Sequence, residues 1–352
     1  MKIDFNTIAF ANIVKRVSRN LSSNKFLPYT ANIRLTVLED SSYLAVCDGN
    51  NTYIHKLNSG CGDGSYTGSV NGEKFVQLLS KITTERVTLV LEPDRIVVKG
   101  NGSYNFRLQP DEVPVFSLKE LLGDEDIPCY TLPEPNMFNL AEAGLSKLVV
   151  NPNLMGYYMV SNNLITTNGV KLSIVNHDAN MGENYYLTNK MVDLYKTCET
   201  EEATITCHNG VNIIQTPTKL IYGPVQSGFE SYPNTLGFVE NLELEKSFSV
   251  DSYFLNEVLD RLAILATEDV IIENLNGKIY VCIPENMETR ELLAEDDEHE
   301  YVGKFQLSSL KELCEKHTGN VVVLYDTFNK PIKLLSKNIT QVLAPKVEVE
   351  RQ

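Results

Sequence analysis

Apolar residues at Phe75, Leu78, Leu79 and Ile82 follow the i, i+3, i+4, i+7 spacing of one helical face. Asn71 stands just before them in a helix-capping position. After Thr83–Glu85 the period changes to two. Val87, Leu89 and Leu91 alternate with Thr88 and Val90, and Ile96–Val98 and Tyr104–Leu108 follow across turns at Pro93-Asp94 and Asn101-Gly102. The pattern predicts one helix and three antiparallel strands between Val70 and Phe116.

The same unit returns twice. Met191, Leu194, Tyr195 and Cys198 repeat the helical spacing, with strands expected at Ala203–Cys207 and Asn212–Gln215 around Asn209-Gly210. Leu310, Leu313, Cys314 and His317 repeat it again, before strands at Val321–Tyr325 and Pro331–Leu335. The interval is 116 residues from Phe75 to Met191 and 119 from Met191 to Leu310. Each unit also owns an earlier helix. Phe10, Ile13, Val14 and Val17 line one over 7–20; Phe138, Ala141, Leu145 and Leu148 line one over 136–147; Leu255, Val258, Leu259 and Leu262 line one over 251–266. A fixed long period outranks any single motif in assigning architecture. The expectation is therefore an α+β chain of three repeated domains, 1–123, 124–245 and 246–352, each with two helices packed on antiparallel sheet. The run Thr289–Glu300 reads as a charged, mobile loop.

Composition changes this picture little. A chain of 352 residues exceeds what one core usually serves. No apolar run approaches the roughly 18–20 residues that span a bilayer, so no membrane partner is expected. The seven cysteines are scattered, without a C-x-x-C pair, which points to reduced thiols and a cytoplasmic location. His55, His177, His208, His299 and His317 are isolated from cysteines at ligand spacings, so no metal is expected. Gly60-Cys61-Gly62-Asp63-Gly64 lacks the lysine and following helix of a phosphate loop and reads as a turn. No nucleophile, base or carboxylate pair recommends itself. The expectation is no enzyme, no catalytic residue and no cofactor.

Charge is more informative. The net charge of −15 argues against nucleic acid, since phosphate contacts need local cations. Yet the six expected helices sum to +3, which leaves −18 on the rest. Lys15, Arg16 and Arg19 form a stripe opposite the apolar face of the first helix. By pattern alone this is a solvated basic face.

Order and spacing then suggest a family. Phe26-Leu27-Pro28, the helix Lys74–Leu79, Phe106-Arg107-Leu108 before Asp111–Phe116, Thr167–Leu172, Gly228–Pro233, Ala263-Ile264-Leu265 and Val342–Pro345 resemble, in sequence order, the β subunit of bacterial DNA polymerase III, the sliding clamp. The chain is identified as a divergent member. The resemblance implies half of a six-domain ring, closed as a homodimer around double-stranded DNA without sequence specificity. It implies a DNA-facing set of Lys15, Arg16, Arg19, Lys25, Lys74, Lys81, Lys190 and Lys196. It implies a dimer interface at Phe106, Leu108, Ile264 and Leu265, four residues that alternation alone would place in their own cores. It implies a pocket for short linear peptides of DNA polymerase and clamp loader at Met155, Thr167, Gly169, Val170, Lys171, Leu172, Pro233, Phe238, Val342, Leu343 and Ala344. Val170 and Lys171 replace the usual His and Arg, Gly237 stands where Arg is common, and Ala344 replaces a bulkier Met. A tail, 346–352, continues past the usual end. The rival reading is a monomeric, acidic clamp-like scaffold or polymerase decoy that does not encircle DNA.

Overall fold

The computed structural model describes residues 1–57, 64–110, 112–123, 125–148, 151–179, 181–198, 202–226, 231–266, 268–296 and 300–346. Cys61 and its glycine-rich neighbours, the Gly228–Glu230 segment, His299 and tail residues 347–352 lie outside the described residues.

One order of elements recurs three times. The first repeat runs β1 (Lys2–Asn6), α1 (Thr7–Val17), β2 (Asn32–Val37), β3 (Ser42–Cys47), β4 (Thr52–Leu57), β5 (Tyr66–Asn71), α2 (Gly72–Leu79), β6 (Arg86–Leu91), β7 (Arg95–Lys99) and β8 (Ser103–Arg107). A connector helix, α3 (Leu118–Leu122), follows. The second runs β9 (Tyr130–Thr131), α4 (Pro135–Ala141), β10 (Gly156–Val160), β11 (Asn163–Thr167), β12 (Lys171–Asn176), β13 (Tyr185–Thr188), α5 (Asn189–Lys196), β14 (Thr204–His208), β15 (Val211–Gln215) and β16 (Lys219–Pro224). After the connector α6 (Thr235–Glu240), the third runs β17 (Lys246–Asp251), α7 (Ser252–Leu262), β18 (Asp269–Leu275), β19 (Lys278–Ile283), β20 (Asn286–Glu295), β21 (Tyr301–Gln306), α8 (Leu307–Cys314), β22 (Asn320–Tyr325), β23 (Ile332–Ser336) and β24 (Ile339–Leu343).

The strands hand over to helices through short polar side chains. Asn6, Asn71 and Asp251 each end a strand and cap the next helix, accepting from the backbone N–H of Ala9, Lys74 and Phe254. All strand pairs are antiparallel.

By contact density the chain forms two compact units, residues 1–132 with 189–225 and residues 133–188 with 226–352. Unit 1 holds the sheets β1-β6-β7-β8 and β5-β2-β3-β4-β16-β15-β14-β9, and unit 2 holds β13-β10-β11-β12-β24-β23-β22-β17 and β20-β19-β18-β21. The eight-stranded ladders cross the repeat boundaries through β4–β16 and β12–β24 pairing. Compactness therefore divides the middle repeat between β13 and α5, while the sequence period follows the connectors α3 and α6.

Two expectations change. The helix expected over 136–147 stops at Ala141. The Thr166 hydroxyl donates to the Ala141 carbonyl. A Cβ on Gly144 would lie 2.3 Å from the Thr166 carbonyl oxygen, so the chain tightens into a 3-10 turn to pass that backbone. Leu148, expected on the buried face, is exposed. The run expected as a mobile loop, Thr289–Glu300, supplies most of β20 as far as Glu295. Leu293 is buried while Glu288, Arg290 and Glu295 stay exposed. Charges suit an outer strand, whose unpaired backbone groups would otherwise invite non-specific pairing.

Unit 1 is centred on aromatics. Phe5 stacks on Phe10 at 4.2 Å, Phe10 meets Phe75 edge-on at 6.2 Å, and Phe75 meets Phe106 edge-on at 5.4 Å. In unit 2, Val258, Leu259 and Leu262 of α7 and Leu310 and Leu313 of α8 close over β18, β19 and β22. Below them runs a buried polar chain. His317 bonds Ser336 Oγ at 2.6 Å and Gln341 Oε1 at 2.9 Å, and Gln341 Nε2 donates to Ser173 Oγ at 3.4 Å. Burial pushes the His317 pKa below its usual 6.5, partly countered by the Gln341 bond.

Two outcomes follow. Phe75→Ala removes the middle ring of the aromatic row and lowers the stability of unit 1 by about 3–5 kcal/mol, read in denaturant unfolding followed by hydrogen exchange in each unit. His317 stays neutral in the folded state and binds a proton more readily when unfolded, so stability falls as pH drops below about 6.5. Buried His177 shifts the same way, so His317→Gln should shallow this pH dependence in unit 2 without abolishing it.

Candidate peptide groove and cationic helix faces

The groove of unit 2 begins at the β11–β12 turn. Asn168 Oδ1 accepts from the Val170 N–H at 2.9 Å and the Lys171 N–H at 2.8 Å. Thr167 Oγ1 accepts from the Gly169 N–H at 3.1 Å and donates to the Lys171 carbonyl at 2.8 Å. Gly169 sits at φ +88°, the left-handed region this turn requires. With its backbone so occupied, the turn presents Val170 half-exposed. The Val170 carbonyl accepts from the Ala344 N–H at 2.9 Å, and Leu172 pairs with Val342. The opposite wall is α6. Asn234 caps it through the Gly237 N–H at 3.1 Å, and Phe238 is half-exposed. A Cβ on Gly237 would come within 2.6 Å of the Asn234 amide nitrogen, so a side chain here would press on the cap.

These elements enclose a groove of about 520 Å³. Thr167, Gly169, Val170, Lys171, Leu172, Pro233, Phe238, Val342 and Ala344 line it, joined by Asn234, Thr235, Asn329, Pro331 and Pro345. Asn329 and Pro331 come from the β22–β23 connection, which no local pattern marks. Two residues expected in the pocket do not line it. Leu343 is fully buried in the α7/α8 core, because alternation along β24 turns it away from Val342 and Ala344. Met155 follows a 3-10 turn at Pro152–Leu154 and is half-buried elsewhere.

Lys171 is buried at the groove end, its ammonium bonded to Glu312 of α8. Lys147 reaches the same carboxylate at 2.7 Å. Burial alone would push the Glu312 pKa up. Hydrogen bonds and charge from Lys147 and Lys171 outweigh it and hold the carboxyl below its usual value. The only cation among the described groove residues is thus already neutralised.

Positive charge collects in unit 1. α1 buries Phe10, Val14 and Val17 and leaves Lys15 exposed, with Arg19 exposed in the turn beyond and Arg16 half-buried. Lys25, Lys74 and Lys81 are also exposed. Among the described residues, Lys15, Arg19, Lys25, Lys74 and Lys81 have no carboxylate partner. Lys190 donates to the Arg19 carbonyl at 2.9 Å, which joins α5 to the end of this stripe. Lys196 is half-buried. On α7 the acids are occupied: Asp251 caps the helix, Asp260 pairs with Lys311, and Glu257 lies 3.8 Å from Arg261.

Each unit also offers an outer strand. In unit 1, β8 ends the four-stranded sheet; Phe106 is half-buried on Phe75 and Leu108 is half-buried beside Gly68. In unit 2, β20 ends its sheet, and Ile264 and Leu265 stand 80% and 65% exposed after α7. Lys99 and Arg107 near the first edge and Glu288 and Glu295 on the second have no opposite charge within bonding distance among the described residues.

Among the described residues no cluster of His, Cys, Asp and Glu is placed to hold a metal ion. No described helix is long and apolar enough to cross a membrane.

No family model and no curated protein sequence matches the chain. Solved structures do match it in fold. The Helicobacter pylori beta clamp bound to a DNA ligase peptide superposes with a TM-score of 0.84 at 15% identity, covering 99% of this chain and 100% of that chain. The DNA polymerase sliding clamp of Bacillus subtilis gives 0.85 at 15% identity, and the DNA polymerase III β subunit of Thermotoga maritima gives 0.83 at 16%, with the same coverage. The chain therefore has the fold of the bacterial DNA polymerase III β sliding clamps over its whole length, at a divergent sequence.

Glu312→Gln leaves the buried Lys171 ammonium without its counter-charge. Removing one partner of a fully buried pair costs about 3–5 kcal/mol, and Glu312 is a third exposed, so a loss of about 1–3 kcal/mol is expected. Adding Lys171→Met should recover much of it, as a double-mutant cycle in urea would read.

Proposed function

We propose that the chain is a DNA sliding clamp, a homodimeric ring that encircles duplex DNA and tethers a replicative polymerase. The observation that carries this reading is the full-length correspondence of fold with the bacterial β clamps. In this reading Lys15, Arg16, Arg19, Lys25, Lys74, Lys81, Lys190 and Lys196 face DNA. Of these, Lys15, Arg19, Lys25, Lys74 and Lys81 are exposed without a carboxylate partner among the described residues and are available for phosphates, whose line charge attracts them whatever the base sequence. The remaining surface is acidic enough to bring the chain to −15. Attachment by encirclement needs no tight contact, and base-specific contacts would arrest sliding. The chain performs no catalysis and works in the cytoplasm.

The homodimer would close with Phe106 and Leu108, at the β8 edge of one chain, meeting Ile264 and Leu265, just after α7 of the other. Exposed Ile264 and Leu265, half-buried Phe106 and Leu108, and the opposite charge near the two edges support such a contact. The groove would take an apolar anchor of a short linear peptide from DNA polymerase or clamp loader. Its apolar walls and its already paired lysine suit side chains inserted from an extended tail. The H. pylori clamp, solved with a ligase peptide, is a precedent for peptide binding on this fold.

Two experiments test this. Native mass at micromolar concentration should give a dimer, and the dimer should be retained on nicked circular DNA after loading and lost on linearisation. Ile264→Asp with Leu265→Asp should give monomers that are not retained. A wild-type chain that stays monomeric and never loads would instead fit the scaffold or decoy reading. Separately, Val170→Glu with Phe238→Ala should weaken the cognate polymerase's C-terminal peptide at least tenfold, as expected for loss of an anchoring pocket, while dimer mass is unchanged.

A further inference from the structure

The most exposed large apolar side chain among the described residues is Phe26, 92% open to solvent. Its backbone is well held. Asn24 Oδ1 accepts from the Phe26 N–H at 2.9 Å, and the Asn24 carbonyl accepts from the Leu27 N–H at 3.1 Å. One residue on, the Leu27 carbonyl accepts from the Thr30 N–H at 3.0 Å and from the Thr30 hydroxyl at 2.7 Å. The loop is closed at its base by Ser22 N–H on the Thr30 carbonyl at 2.8 Å and by the Thr30 hydroxyl on the Ser22 carbonyl at 3.1 Å. Leu27 packs on Gly49. Local hydrogen bonds therefore hold an aromatic ring out in water, where apolar area gains nothing.

The surroundings indicate what the ring meets. Lys25 is its exposed neighbour, Arg19 is exposed at the end of the preceding turn, and neither has a carboxylate partner among the described residues. In a chain of net charge −15, an exposed aromatic on a held backbone, next to exposed Lys25 and seven residues after exposed Arg19, is complementary to an anion with a π-face. Unpaired nucleotides are such a ligand. Their bases stack on aromatic side chains whatever the sequence, while lysine and arginine take the adjoining phosphates. A base inside an intact duplex is covered by its neighbours on both faces and offers no such surface.

We propose that Phe26 is a stacking platform for an unpaired DNA base, with Lys25 and Arg19 holding the flanking phosphates. This rests on the clamp reading and adds to it a preference for the boundary between duplex and single strand over duplex alone. In that reading the chain would distinguish a primed junction from uniform double helix through one loop.

The test uses the full-length protein and two probes: a duplex with a 5′ single-stranded tail carrying 2-aminopurine at its first unpaired positions, and the same duplex without a tail. The wild type should quench the 2-aminopurine and bind the tailed probe more tightly than the blunt one. Phe26→Ala should abolish the quenching and weaken the tailed probe roughly five- to tenfold, the low end of one base stacked on an aromatic, with binding to the blunt probe unchanged. Phe26→Trp should retain both effects, which separates stacking from loss of fold. Equal affinity of wild type and Phe26→Ala for the tailed probe overturns the proposal. So does an equal loss on both probes, or a loss confined to polymerase binding, which would assign the ring to a protein contact. A wild type that is retained on circular DNA yet shows no quenching sinks the stacking site alone. A wild type that neither loads nor binds either probe sinks the clamp reading with it.

Discussion

The fold depends on two antiparallel seams, β4 with β16 and β12 with β24. Each joins strands that are far apart in the chain, and each turns two four-strand ladders into one of eight. Without them four strands would become edges with unpaired backbone donors and acceptors. The seams also assign the middle repeat. Its early strands bond to the end of the chain and its late strands bond to the beginning, so its two halves lie in different compact units. A module bounded by the sequence period and a unit bounded by packing need not coincide when sheets continue across the period.

The second seam makes the groove. Pairing of Leu172 with Val342 sets the register, and the bond from Ala344 to the Val170 carbonyl extends it one step past the strand. The glycine turn and the capped start of α6 then fix the two rims. The lysine at the groove's end is bonded to Glu312 and held close to Lys147, so the walls stay apolar. Desolvation and pairing oppose each other at Glu312, and pairing wins because two ammonium groups share one carboxylate.

Charge follows a similar division. Acids on α7 are spent on capping and on Lys311 and Arg261, while Lys15 on α1, Lys74 on α2 and Lys25 in the loop after α1 have no carboxylate partner among the described residues. A net-negative chain can therefore carry a local surface suited to phosphate. Total charge alone would have pointed the other way.

The sequence by itself determined the repeat, the two helices of each copy with the strands that follow the second, and the family of folds. These are local properties: helical spacing at Phe75–Ile82, alternation at Val87–Leu91, and the capping Asn71 at the strand-to-helix handover. It also carried most of the groove, because Thr167–Leu172 and Val342–Ala344 each lie within one short motif. It missed Asn329, Pro331 and the exclusion of Leu343, which depend on which strand lies opposite and which face it shows. It read β20 as a loop because an outer strand and a charged loop have the same composition; only pairing with β19 separates them. The early end of α4 likewise came from Thr166, twenty-five residues away in sequence. Local periodicity is written in the chain. Strand partnership, solvent exposure and the pairing of Lys171 with Glu312 belong to the tertiary structure, because each depends on a partner that sequence spacing does not specify.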